Sequence, residues 1–187
     1  MVDYDVEKGA DEATTSFADA YHSALNGSKD TITTFYVRKN TDPSGKLVPE
    51  ILWNGALFTD PEEFTKMIKS GMPTNHRFTV QTVDCHILKE NYHPDPPDRK
   101  LKPEKNMSIL AMISGNLRLG DSNSTERIEF NQTVVLVPNL DKLLGVGAGV
   151  RGLGLSKRAW LIESQIFRYV VIPESAATAA LASMEVE

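Results

Sequence analysis

The sequence has little cysteine: Cys85 is the only one in 187 residues. That excludes a disulfide framework and any zinc site built from several thiolates, and it fits a reducing compartment. Long apolar runs are missing as well. No stretch approaches the roughly 20 residues a membrane-spanning helix needs, and no charged-then-apolar leader opens the chain. Positive charge is not in excess: 20 Lys and Arg stand against 25 Asp and Glu, a net charge of −5. That balance excludes a protein that coats nucleic acid with its whole surface, while leaving local basic patches open. No segment repeats. With 41% hydrophobic residues, a chain of this length is expected to be a soluble, intracellular protein with one buried core.

Residues 1–12 carry Asp3, Asp5, Glu7, Asp11 and Glu12 against Lys8 and read as an acidic tail before a domain spanning 13–172. Phe17, Ala20, Tyr21, Ala24 and Leu25 form one stripe of an amphipathic helix, which Asn26-Gly27 ends. Ser28 is placed to cap a second helix carrying Ile32, Phe35 and Tyr36. A turn at Asp42-Pro43-Ser44-Gly45 leads to a strand over Leu47 to Asn54. The third helix is the most clearly signalled, with Asp60 as cap, Pro61 at its first position and Glu63 completing a capping box.

After Pro73 the apolar period changes from helical to alternating. Phe78 and Val80 occupy one phase, Val83, Cys85 and Ile87 the other, which predicts a bulge and a curved sheet. Met107 to Leu119, Arg127 to Val137 and Ala159 to Ile172 read as three further long strands. Helices first and antiparallel strands after is the α+β pattern. Insertions at 89–106 and 138–158 interrupt the strands, and residues 173–187 form an Ala-rich tail.

Catalytic signatures are few. Gly147 to Gly152 match G-x-G-x-x-G, but a strand follows where a dinucleotide site needs a helix, so the reading is a loop. Asp84 and His86 share one face of a strand and could serve as a general base in a cavity-type enzyme or a small-molecule-binding homodimer. No second carboxylate or oxyanion stabiliser accompanies them, which favours a face that meets a partner or solvent while Cys85 packs inside. His22, His76 and His93 share no metal-ligand spacing, and no Gly-x-Ser-x-Gly elbow occurs. No cofactor and no metal is expected. The insertions are basic: Arg99, Lys100, Lys102 and Lys105 in one, Arg151, Lys157 and Arg158 in the other, all candidates for RNA phosphate contact.

The long strands carry apolar residues in both phases. Ile109 and Ile113 alternate with Leu110 and Met112, and Ile166 alternates with Phe167. Three short helices cover one face only, so the other is expected to meet a partner. The candidate partner surface is Ile109, Ile113, Asn131, Gln132 and Ile166.

The strings Leu52-Trp-Asn-Gly55, Val83-Asp-Cys85, Ile113-Ser-Gly115, Phe130-Asn-Gln132 and Phe167-Arg-Tyr169, in this order, resemble the nuclear transport factor two-like family. Within it they are most similar to the small subunits of the nuclear mRNA export receptor, the fungal mRNA transport regulators. The resemblance implies a curved sheet wrapped on three helices in a cone. It also implies a non-catalytic subunit that pairs sheet to sheet with a similar domain of the large export-receptor subunit. Such a heterodimer binds phenylalanine-glycine nucleoporins and carries messenger ribonucleoprotein through the nuclear pore, shuttling between nucleus and cytoplasm. In fungal members, extended loops are linked to RNA and pre-ribosomal cargo. By the same resemblance, Arg168 holds the position whose arginine meets an acidic group of the large subunit. Asn54 stands where the carrier of Ran-GDP has an acidic residue, which argues against Ran binding.

Overall fold

A computed structural model describes residues 4–93, 101–120, 127–143 and 158–170. Helix α1 runs Tyr4–Asn26 and buries Val6, Ala10, Ala13, Phe17, Tyr21 and Leu25 along one stripe. It begins well before the expected start, so most of the supposed acidic tail is its first turns. Asp5 and Glu7 complement the positive end of the helix dipole there. Gly9 permits the docking: a Cβ at that position would lie 2.8 Å from Cβ of Glu104, in a short 3-10 turn at Pro103–Lys105.

The second expected helix is a 3-10 segment, Lys29–Phe35, and Ser28 makes no side-chain cap. Hydroxyls draw the backbone away from α geometry: Thr31 Oγ1 donates to Ser28 O and Thr34 Oγ1 to Thr31 O. Ile32 and Phe35 are nevertheless buried, as the pattern requires. Helix α2, Pro61–Gly71, starts as read, with Asp60 Oδ1 accepting from the Glu62 N–H at 2.8 Å.

Strands β1 (Asn40–Thr41) and β2 (Leu47–Val48) close a small ribbon around Asp42, whose carboxylate accepts from Ser44 and Lys46 backbone N–H groups. Strands β3 (Glu50–Trp53) and β4 (Ala56–Phe58) form a hairpin whose two turn residues, Asn54 and Gly55, have φ of 53° and 97°. Asn-Gly with both φ positive is the turn whose twist matches paired strands. The hairpin was not foreseen in the sequence, although that dipeptide signals it. Strands β5 (His76–Glu90), β6 (Met107–Leu119), β7 (Arg127–Pro138) and β8 (Trp160–Val170) complete a sheet of order β4-β3-β8-β7-β6-β5. A four-residue helix α3, Leu140–Leu143, follows β7. The β3–β8 pair is parallel and the others antiparallel, so the sheet is mixed and not purely antiparallel as expected.

The predicted bulge lies between Val80 and Thr82, and others sit at Ile87/Lys89 of β5 and opposite Val135/Leu136. These extra residues bend the sheet around the helices. The enclosed core is aromatic: Trp53 stacks on Phe167 at 3.8 Å, and Phe130 and Phe78 continue the cluster. Phe17, Tyr21, Phe64 and Phe78 fill the space between helices and sheet, each 6% exposed or less. The Tyr21 and Tyr36 hydroxyls both reach Gln165 Oε1, at 3.1 and 2.6 Å, and burial raises both phenols above their ordinary pKa. The architecture is an α+β cone.

The glycine motif at 147–152, the Ala-rich tail and basic residues Arg99, Lys100, Arg151 and Lys157 lie outside the described residues.

Candidate protein-protein interface on the open sheet face

The helices cover one face of the sheet. On the other, strand register lines side chains up in rows that run across the strands. One row runs Asp84, Met112, Thr133, Ile166, Leu52 and Leu57, from β5 to β4. Met112, Ile166 and Leu57 in it are 37%, 43% and 60% exposed. The row on one side is His86, Leu110, Val135, Ser164 and Glu50; on the other it is Thr82, Ser114, Asn131 and Arg168. The result is an apolar band, widened by Leu110 and Val135 on one side, with polar groups along the Arg168 row and at the ends, the composition of a contact surface with a polar rim. Arg168 faces neutral Asn131 and Ser114 in its row, so the row offers its guanidinium no carboxylate.

The expected partner set divides between the two faces. Asn131, Ile166 and Arg168 are exposed on the open side. Ile109, Ile113 and Gln132 are at most 2% exposed and point at the helices, which corrects the single-face assignment. The cause is register. Ile113 pairs with Gln132 and Gln132 with Phe167, all inward, while Met112, Thr133 and Ile166 take the outward phase. On β6 the richer apolar stripe is the core, and the poorer one, Leu110 and Met112, is the surface. A bulge at Glu163 also exchanges phases within β8, so Ile162 is buried while Ile166 is exposed. Leu52, Leu57, Met112 and Thr133 were not recognised in the sequence as one surface; only pairing across strands brings them together.

Asp84 and His86 occupy that open face too, with side chains 69% and 64% exposed and 3.9 Å apart. They do not point into the cone, where Cys85 lies between them in sequence and faces α1. Burial pushes the Cys85 thiol above its ordinary pKa. The arrangement removes the geometry that an inward general base needs. Gln132, buried and inward, lies beside His22, whose ring stacks on Phe130 at 5.5 Å.

Of the basic loop residues, Lys102 is 3.7 Å from Glu104, and Lys105 ends the 3-10 turn packed on α1. Arg158 is engaged within the chain: its guanidinium lies 3.2 Å over the Phe35 ring, and Nε donates to Thr34 Oγ1 at 3.2 Å. The guanidinium therefore helps to pack the 3-10 segment. No described helix is long and apolar enough to cross a membrane.

No protein-family model matches the chain, and no curated protein sequence does. Solved structures do. A structure of a Sac3N peptide bound to Mex67:Mtr2 contains a chain 25% identical, with a TM-score of 0.67, covering 86% of this chain and 99% of that one. The Mex67 NTF2-like domain complexed with Mtr2 from Chaetomium thermophilum gives 25% identity and 0.67, covering 86% and 98%. Nuclear transport factor 2 from Cryptosporidium parvum, at 14% identity and 0.53 over 86% and 94%, shares the fold alone. The chain therefore has the nuclear transport factor two-like fold and, within it, is similar to Mtr2 in its complex with Mex67.

Proposed function

We propose that this chain is the small, non-catalytic subunit of a heterodimeric mRNA export receptor. It pairs through its open sheet face with the nuclear transport factor two-like domain of a Mex67-type large subunit. The observation that carries the reading is the uncovered apolar row Met112–Thr133–Ile166–Leu52–Leu57, bordered by Arg168. A monomer gains nothing from leaving such a band in water, whereas a second sheet placed over it buries the band and leaves the polar rows at the rim. Arg168, without a carboxylate in its own row, selects a partner that supplies one.

In this reading the heterodimer works in the nucleus and at the nuclear pore and shuttles to the cytoplasm. It meets phenylalanine-glycine nucleoporins as a unit and carries messenger or pre-ribosomal ribonucleoprotein. Arg99, Lys100, Lys102, Lys105, Arg151 and Lys157 would add RNA contact from the insertions. The experiment is coexpression of the full chain with the large subunit, followed by sizing. A one-to-one complex is expected, and it should be lost in Ile166→Asp. A wild-type chain that remains monomeric beside the large subunit would overturn the proposal.

A further inference from the structure

At the end of the open face beyond Arg168, the ladder places Arg77 of β5 opposite Arg118 of β6, and Arg118 opposite Arg127 of β7. Three guanidinium groups thus share one row. With strands about 4.8 Å apart, the three positions span about 10 Å. Like charges directly opposite one another on a sheet destabilise it, so the arrangement costs the free protein stability. Among the described residues none of the three has a carboxylate partner. The nearest acid in the ladder is Glu129, one step along on β7 and opposite Asn116. Arg77 and Arg127 are exposed and Arg118 is half-buried, so the row is open to solvent. Beside it lies a recess of about 500 Å³, lined in part by Asn26, Thr74 and Asn75 along with Arg77 and Arg118.

We infer that the Arg77–Arg118–Arg127 row is a binding site for the sugar-phosphate backbone of single-stranded RNA, separate from the basic insertions. Arginine forks match the paired oxygens of phosphate, and a straight row of them suits a linear polyanion better than an isolated anion. The recess adds the Thr74 hydroxyl, a neutral group of the kind that contacts phosphate and sugar. No aromatic side chain stands in the row to stack on a base, so binding follows the backbone and tolerates sequence. The chain's net charge of −5 restricts phosphate contact to local basic groups such as this row.

The test is fluorescence anisotropy with labelled 20-nucleotide oligo-U and oligo-C across a salt series. It compares the full chain, alone and in the heterodimer where that forms, with the triple variant Arg77→Gln, Arg118→Gln, Arg127→Gln. The variant should bind about tenfold or more weakly at low salt. The slope of log affinity against log salt should fall by about 2, since each phosphate contact on a single strand contributes about 0.7. Oligo-U and oligo-C should bind alike. A thermal melt at or above that of the wild type will show that the fold survives. Unchanged RNA affinity and slope would overturn the inference. So would loss of the heterodimer with RNA binding intact, which would assign the row to a protein contact. Dimer formation is read separately by sizing, so either proposal can fail without the other.

Discussion

Asn131 on β7 lies directly opposite Arg168 on β8, both exposed on the sheet face that the helices leave open. The arginine's cross-strand neighbour is neutral, so its charge is available to a partner. Replacing Arg168 with Glu would set an acid against the partner's acid and, in the account above, would prevent pairing without disturbing the core. The expected result is a heterodimer Kd raised by roughly thirtyfold or more, about 2 kcal/mol, with an unchanged melting profile of the isolated chain. Surface plasmon resonance against the large subunit measures it.

Gly115 sits in β6 where the bulge draws β5 close. A Cβ there would come 2.1 Å from Thr79 O and 3.0 Å from the Phe130 ring. One obstacle is backbone, so it cannot move aside cheaply. Gly115→Ala should cost about 2–4 kcal/mol, read as a lowered urea midpoint with little change in slope. This contact accounts physically for the glycine in the Ile113-Ser-Gly115 string.

His22 is buried against Phe130 and donates from Nδ1 to Ala18 O at 2.8 Å. Burial lowers its pKa and keeps the ring neutral in the fold; the Ala18 carbonyl, Gln132 and Asp19 oppose this without reversing it. The unfolded chain takes up the proton near the ordinary value of about 6.5, and the folded chain does so only at lower pH. Stability is therefore complete above about pH 6.5. It declines as the pH falls from there toward the folded value, by up to about 1.4 kcal/mol per pH unit. His93, also lowered by burial, acts in the same direction. Urea titrations at pH 7.5, 6.5 and 5.5 should accordingly show a steeper acid loss in wild type than in His22→Phe, and the difference isolates His22.

Much of this was legible in the sequence, and what was missed has identifiable causes. The Asp60-Pro61 start of α2, the bulge near Gln81 and the spans of β6 and β7 follow local rules, because capping atoms, proline geometry and side-chain alternation are local facts. The first turns of α1 were hidden, because Gly9 and a run of acids read as a solvated tail until Glu104, distant in sequence, packs against them. The interface was half legible. Alternation says that β6 and β8 have two apolar faces, but only pairing across strands says which outward residues align. Thus Ile109 and Ile113 were joined to Ile166, although register places them on opposite sides of the sheet.

Asp84 and His86 provide a separate check. Exposed on the open face, they should matter for neither folding nor any turnover inside the cone. Asp84→Asn with His86→Ala is expected to leave the melting temperature within about 2 °C of wild type, since surface substitutions change stability by about 0.5 kcal/mol or less. A melting temperature lowered by several degrees would mean that the pair holds the sheet together.

The most direct test of the central claim is native mass spectrometry of the full chain coexpressed with the large subunit, in wild-type and Ile166→Asp forms. The account predicts a one-to-one heterodimer for the wild type, and a folded but unpaired chain for the variant. A wild-type chain that stays a stable monomer, or a variant that pairs as well as wild type, would contradict it.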